Sequence, residues 1–558
     1  MKVTIRLCSA LLGTLIAAYA QGADAQRPNI ILVVLDDLDS TASEPYLKDY
    51  MPFVTTKTQE DGIKFTAAHS AAICCEARAA ILTGLYAHNN GVFTNGGLWG
   101  GYAAFQAPRN GAGERLLDAS GKPIQNEERT IARYLHDGGY TTGFYGKYLN
   151  GFELHDGKAP APPPYWDRGS LYVDPGLRSY TGYHYDMLSW NGAATKLETF
   201  GFRPADYATD VLTDKALEFW QERANATPHQ PKFLYLGYTA PHLPLPPAPR
   251  HLPEVLLHMP KLPLLAHTFQ DGDDGFSDKP TWLKESLEER LDPSLNAWAK
   301  HDWANRLGSL KAVDEGLAKL WAHLEQTGEA DDTLIFVTSD NGYNNGAHGL
   351  VHKMAPYEST LRVPLYVFGG KNSGLARGAI RQAWVSHVDY LPSFLELAAL
   401  PIPPEVDGKS LKGLLEGRTE QHREEVFFSY QGGQFANGKE IPVDRLSWKI
   451  FRGIRGFLTD IPTHLGIKKI LHTPEGDRAY KLIAWPKTDA ALWSKAAWED
   501  AEWELYDLDR DPFELHNLLA VPHEEFAGVL DALTEALERA YTCEGEVCHT
   551  PSVQEDHD

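Results

Sequence analysis

Two carboxylates in succession, Asp36 and Asp37, follow the apolar run Asn29–Leu35. A second apolar run, Thr333–Thr338, ends in Ser339-Asp340-Asn341-Gly342. Carboxylates and an Asn amide oxygen are hard ligands, so Asp36, Asp37, Asp340 and Asn341 are candidates to hold Ca²⁺, with Mg²⁺ as the alternative. Packed together without a cation, the three carboxylates would repel one another. Helix capping explains one residue of each pair, but not both. Two further runs end in anion-binding groups. Tyr140–Tyr145 leads to Gly146-Lys147, and Lys232–Tyr238 leads to Ala240-Pro241-His242. One such end would mean little, because polar residues are common in turns. Four converging ends form a pattern.

A thiol completes the set. Ile73-Cys74-Cys75-Glu76-Ala77-Arg78 reads as a loop entering a short helix that Gly84 ends. At a helix start, with Arg78 one turn on, a thiol is expected to be acidified and reactive. Cys75 is expected to be a buried structural cysteine. Cys543 and Cys548 share a short C-terminal loop and are expected to pair in an oxidising compartment. A bridge over so few residues fixes the loop rather than the fold.

These side chains need a scaffold that gathers four strand ends. Through the first 400 residues, short β-branched runs alternate with helical patterns, among them Thr130–His136, Ala216–Gln221 and Leu307–Leu324. This alternation predicts a large, mostly parallel sheet with helices on both faces. Ligands of such sheets bind beyond the carboxyl ends of the strands. The run Asn29–Leu35 is apolar almost throughout, as a strand buried on both faces requires. After residue 415 the composition changes. Strand-like runs such as Tyr480–Trp485 lead to a helical tail from His523 to Tyr541. Two Pro-rich stretches, Lys158–Pro164 and Ala240–Pro263, are expected to be irregular surface segments, and such insertions often wall an active site.

The amino terminus carries Lys2 and Arg6, an apolar run from Leu7 to Ala18, and two small-x-small sites. This pattern predicts a secretory signal peptide over 1–26 and export to the medium, a periplasm or a lysosome-like compartment. A main α/β domain is expected over 27–415 and a smaller α+β domain over 416–550. The apolar run is too short to span a bilayer, and no later stretch is apolar enough to do so. The 558 residues include 52 Lys+Arg and 75 Asp+Glu, a net charge of −23. That balance argues against nucleic acid as a partner and against a polybasic membrane contact.

The pieces, in their order, resemble the type I, formylglycine-dependent sulfatases of the alkaline phosphatase superfamily. Those pieces are Pro28…Asp36-Asp37, Cys74…Leu82-Thr83-Gly84, Gly146-Lys147-Tyr148-Leu149-Asn150, Ala240-Pro241-His242 and Thr338…Gly342. Lys353…Pro356-Tyr357-Glu358, Arg362-Val363-Pro364, Asp407-Gly408-Lys409-Ser410-Leu411 and Glu504…Leu508 continue the series. The double Cys and the Gly-Lys-Tyr-Leu-Asn form are most similar to N-acetylglucosamine-6-sulfatases and arylsulfatase-like members.

The resemblance implies an alkaline phosphatase-like sandwich and hydrolysis of a sulfate monoester, on a sulfated sugar or an aryl sulfate. It implies that a formylglycine-generating enzyme converts Cys74 to an aldehyde, whose hydrate attacks sulfur. The spacing to Arg78 gives that role to Cys74 rather than Cys75. By the same resemblance, Asp36, Asp37, Asp340 and Asn341 bind calcium, and Arg78 holds the formylglycine. Lys147, His242 and Lys353 bind sulfate, with His348 as a further candidate. The chain departs from the family motif Cys-x-Pro-Ser-Arg, since Glu76 stands for Pro and Ala77 for Ser. Two other readings stay open: a sulfated-glycan binder with weak or no catalysis, and a phosphomonoester or phosphonate hydrolase using the same site.

Overall fold

The computed structural model describes residues 27–173, 178–226, 230–258, 277–285, 293–350, 352–432, 461–486, 498, 501–520 and 524–549. The expected signal peptide over 1–26 lies outside the described residues. Eleven strands form one sheet. In chain order they are β1 (Asn29–Leu35), β2 (Gly62–His69), β3 (Thr141–Gly146), β4 (Arg168–Tyr172), β5 (Asp186–Asn191) and β6 (Ala194–Thr199). They continue as β7 (Lys232–Gly237), β8 (Thr333–Ser339), β9 (Arg362–Gly369), β10 (Ala379–Arg381) and β11 (Val385–Ser386). Across the sheet the order is β10-β2-β9-β8-β1-β7-β3-β4-β5-β6, with β11 also on β2.

The block β8-β1-β7-β3-β4 is parallel throughout. The four strand ends singled out in the sequence are therefore adjacent. Leu35 lies beside Ser339, and Gly237 beside both Val34 and Gly146, so the residues that follow emerge along one edge.

Alternation along β1 explains why its sequence is apolar. Ile30, Leu32 and Val34 join the core on one face, while Ile31, Val33 and Leu35 join that on the other. Each fully buried aliphatic side chain contributes about 1.5–3 kcal/mol, which leaves no polar face to the strand. Helix α1 (Cys74–Thr83) contributes Cys75, Ala79 and Leu82 to the first core. Helices α2 (Ala208–Ala226) and α3 (Pro293–Thr327) cover the second face through residues such as Leu212, Leu310 and Leu317.

Four antiparallel strands form a second sheet in sequence order: β12 (Glu425–Tyr430), β13 (His464–Thr473), β14 (Gly476–Trp485) and β15 (Glu502–Asp507). Helix α4 (Ala527–Ala540) packs on it through Leu533, Ala536 and Leu537. Ala80 and Tyr86 share that core, so α1 is held between the two sheets. The Cys543–Cys548 disulfide forms as expected. Its loop caps Asp407, with the Gly545 amide donating to Oδ1 at 2.9 Å.

The Pro-rich stretch from Ala240 departs from expectation. Residues Leu252–His258 are helical, and Ala240, Leu245 and Ala248 are buried. The one proline inside that helix, Pro253, sits in the first turn, where a missing N–H breaks no helical hydrogen bond.

Candidate active site

Helix α1 presents Cys74 at its first position. Ile73 is extended, the Ala77 amide closes the first turn on the Ile73 carbonyl, and Gly84 ends the helix in the left-handed region at φ 68°. All ten residues are buried, including Glu76 and Arg78, which meet Ser429 and Asp340. Cys75 faces the core, as expected, and its amide donates to Asn95 Oδ1 at 2.9 Å.

Asp36, Asp37, Cys74 and Asp340 offer ligand atoms that all lie within 4.8 Å of one another. All four residues are buried. Asn341 joins them by donating through Nδ2 to Asp37 Oδ1 at 2.7 Å. Asn341 Oδ1 is buried with no hydrogen-bond partner among the described residues. Three carboxylates beside an orphaned amide oxygen are the donor set of a hard divalent cation, so the residues fit such an ion.

Three cations frame the acids. Lys147 Nζ donates to Asp36 Oδ2 at 2.6 Å. Lys353 Nζ donates to Asp37 Oδ1 at 2.5 Å and to Cys74 Sγ at 2.8 Å. Arg78 is fully buried; Nε donates to Asp340 Oδ2 at 2.8 Å and Nη1 to the Lys147 carbonyl at 2.9 Å. Two glycines make room here. A Cβ on Gly146, at φ 110°, would lie 1.9 Å from the Gly237 carbonyl, and one on Gly237 would meet Arg78 Nη1 at 3.3 Å.

His242 Nε2 lies 3.6 Å from Asp37 Oδ2, while Nδ1 donates to the Leu243 carbonyl. Its ring lies 4.2 Å from that of Tyr180, which in turn sits 5.2 Å beneath Lys147 Nζ. His348 occupies a left-handed turn and stacks on Tyr357 at 3.9 Å.

Burial and charge compete at every group. Burial pushes the Asp37 carboxyl up, but Lys353 and His242 overcome it and hold the value at about 2. Asp36 is likewise held below its usual value against burial, chiefly by Lys147. Burial, seconded by Lys353, lowers His242 to about 4 and keeps it neutral at physiological pH. For Cys74 burial wins: the thiol is pushed up to about 12 despite Lys147 and Lys353. The expectation of an acidified thiol is therefore corrected. The helix start and Arg78 do not offset loss of water, since the guanidinium is already engaged by Asp340.

Glu76 turns away from Cys74. Its Oε1 accepts from Ser429 on β12 at 2.8 Å, and Oε2 is buried without a hydrogen-bond partner among the described residues. Burial raises its carboxyl well above the usual range, with Ser429 opposing only in part.

Sequence reasoning missed two residues around this cluster. Tyr180 lies in a short helical turn between β4 and β5, with no motif to mark it. Arg306 lies within α3 and donates to the Asp37 carbonyl, where a helical pattern alone gave no sign of a role.

The sulfatase family model matches residues 28–400. An extracellular sulfatase SULF-1 homologue of Drosophila melanogaster is 28% identical over 78% of this chain, which spans only 36% of that protein. The chain spans 49% of a Caenorhabditis elegans counterpart that is 32% identical over 70% of this chain. The human N-acetylglucosamine-6-sulfatase is 28% identical over 97% of this chain and 90% of its own length. Among solved structures, a protein in complex with its substrate D-glucosamine-2-N,6-O-disulfate has the same fold. Its TM-score is 0.65 and its identity 24%, covering 92% of this chain and 97% of that one.

Proposed function

The chain belongs to the sulfatase family, and from that premise we propose that it hydrolyses a sulfate monoester at the pocket of Asp36, Asp37, Cys74 and Asp340. The observation that carries this reading is the meeting of those four groups within 4.8 Å, framed by Lys147, Lys353 and Arg78. The near full-length similarity to an N-acetylglucosamine-6-sulfatase favours a sulfated sugar as substrate.

Asp36, Asp37, Asp340 and Asn341 are the proposed ligands of a divalent cation, with calcium preferred. Such a cation would supply Lewis-acid polarisation of a sulfate oxygen, and a formylglycine at position 74 would supply an attacking oxygen in place of the protonated thiol. The other side chains bind and orient. Lys353 Nζ, 2.8 Å from Cys74 Sγ, and Lys147 place two positive charges where sulfate oxygens must lie. Arg78, clamped by Asp340 and the Lys147 carbonyl, fixes the floor under position 74. His242, neutral and with Nδ1 bound to the Leu243 carbonyl, directs an unprotonated Nε2 toward the pocket, where it can accept a proton.

Glu76 leaves this geometry intact because it faces Ser429. Its effect falls on recognition by the formylglycine-generating enzyme, the partner proposed for maturation. Export is proposed as well, on the leader pattern and the extracellular relatives. Among the described residues no helix is long and apolar enough to cross a membrane.

The test co-expresses the chain with a formylglycine-generating enzyme and measures sulfate release from N-acetylglucosamine 6-sulfate, and phosphate release from the matching phosphate ester. Sulfate release should dominate, and Cys74→Ala should lower it by at least about 10³-fold. Faster phosphate release would replace this reading with a phosphoester hydrolase. Binding of the sulfated sugar with no release at all would replace it with a glycan-binding protein.

A further inference from the structure

The parallel ladder fixes β8, β1 and β7 up to Ser339, Leu35 and Gly237. The residues that carry the proposed chemistry lie just beyond, where sheet hydrogen bonds stop. One side chain spans all three loops. Arg306, in α3, is buried with 2% of its surface exposed. Its Nη2 donates to the Asp37 carbonyl, Nε to the Pro241 carbonyl at 3.1 Å, and Nη1 to Asn345 Oδ1 at 2.6 Å. The guanidinium plane lies 3.6 Å from the centre of the Tyr343 ring, which fixes its orientation. A planar fork with five donors in fixed directions bridges three separated acceptors, a spread that the compact ammonium of lysine matches only in part.

The contact with Asp37 matters most. Asp37 has φ 76°, the left-handed region, which a non-glycine residue occupies only when its surroundings hold it there. Its amide donates to Asp340 Oδ1 at 3.2 Å, and Arg306 holds its carbonyl. The backbone is thus pinned from both sides, and the carboxylate is aimed at Asn341, Lys353 and His242. Pro241, the second anchor, directly precedes His242. The third, Asn345, also donates to Asp39 Oδ2 at 2.7 Å, tying the loop beyond Asn341 back to that beyond Asp37.

We propose that Arg306 is a positioning residue that sets Asp37 and His242 in register with the Asp340 loop, so that the strength of cation binding depends on it. The inference rests on the proposed cation site and sulfatase chemistry, but touches neither substrate nor cation directly. Outer contacts of this kind change metal affinity or activity by about 10–100-fold when removed.

Calcium titration by calorimetry, on full-length Cys74→Ala protein, separates this role from turnover. Adding Arg306→Gln should weaken calcium by about tenfold or more, with Arg306→Lys between the two. Thermal melting at saturating calcium checks that each variant is folded. In the matured enzyme, Arg306→Gln should lower kcat while KM for the sulfated sugar changes less than about twofold, and Arg306→Lys should restore part of kcat. If Arg306→Gln does not fold, Arg306→Lys carries the test. A folded variant with unchanged calcium affinity overturns the proposal, whatever its kcat, and leaves the sulfatase reading standing. A parent protein that binds no calcium overturns the cation reading, and this inference with it.

Discussion

Of two clusters of buried charge among the described residues, only the one around Cys74 has the marks of an active site. In the first, Asp36, Asp37 and Asp340 face Lys147, Lys353 and Arg78. In the second, at the join with the smaller sheet, Glu358 accepts from Lys468 at 2.9 Å and from Lys481 at 3.3 Å. Lys481 also donates to Glu514 Oε1 at 2.6 Å, and Glu514 Oε2 accepts the Glu358 amide at 2.7 Å. His69 closes the far side, with Nε2 2.6 Å from Lys468. Every side-chain nitrogen and oxygen of Glu358, Lys468, Lys481 and Glu514 finds a partner. In the first cluster Asn341 Oδ1 and Arg78 Nη2 find no hydrogen-bond partner among the described residues. Burial of charge is common to both; the first differs in combining three clustered carboxylates with unfilled hydrogen-bonding capacity, whereas the second is a closed set of pairs.

The comparison predicts opposite responses to loss of a lysine. Removing one partner of a closed buried pair strands the other, so Lys468→Met should cost about 3–5 kcal/mol of stability in denaturant unfolding. Turnover per folded molecule and calcium affinity should stay near wild type. Loss of turnover without loss of stability would erase the distinction. In the open cluster, Lys353→Ala should do the reverse. Sulfate release should fall by about 10²–10³-fold, as for loss of one donor to a developing anion, while a bound cation keeps Asp37 compensated and the melting point changes little.

The smallest effect concerns Glu76, whose carboxyl meets Ser429 on β12. Burial raises its carboxyl well above the usual value of a glutamate, 4.5. The folded state then holds a proton that the unfolded state has released, so stability falls as pH rises above about 4.5, up to the raised folded value. Glu76→Gln removes that slope. The variant should melt higher than wild type at pH 8, with the gap narrowing toward pH 4.5. Parallel melting curves at both pH values would show that Ser429 faces a carboxylate rather than a carboxylic acid.

The open cluster was largely legible in the sequence because its members follow strands, and strands of one parallel block end side by side. Asp36, Asp37, Asp340, Lys147 and His242 all come from such ends, and α1 was bounded by Cys74 and Gly84. The closed cluster was not legible. Glu358, Lys468 and Glu514 belong to three separated segments, and no local pattern announces that they meet. The Glu76–Ser429 contact spans 353 positions for the same reason. Arg306 was hidden by its helix, whose periodic apolar pattern concealed one buried charge. The state of Cys74 was misjudged because the helix start and Arg78 can be read locally, whereas desolvation depends on the whole fold.

The most direct test is the mass of the peptide containing residues 74–78, taken from a preparation whose sulfate release has been measured. The account predicts an aldehyde in place of the Cys74 thiol, in a fraction that rises with specific activity across preparations. An intact thiol throughout a preparation that releases sulfate would contradict it.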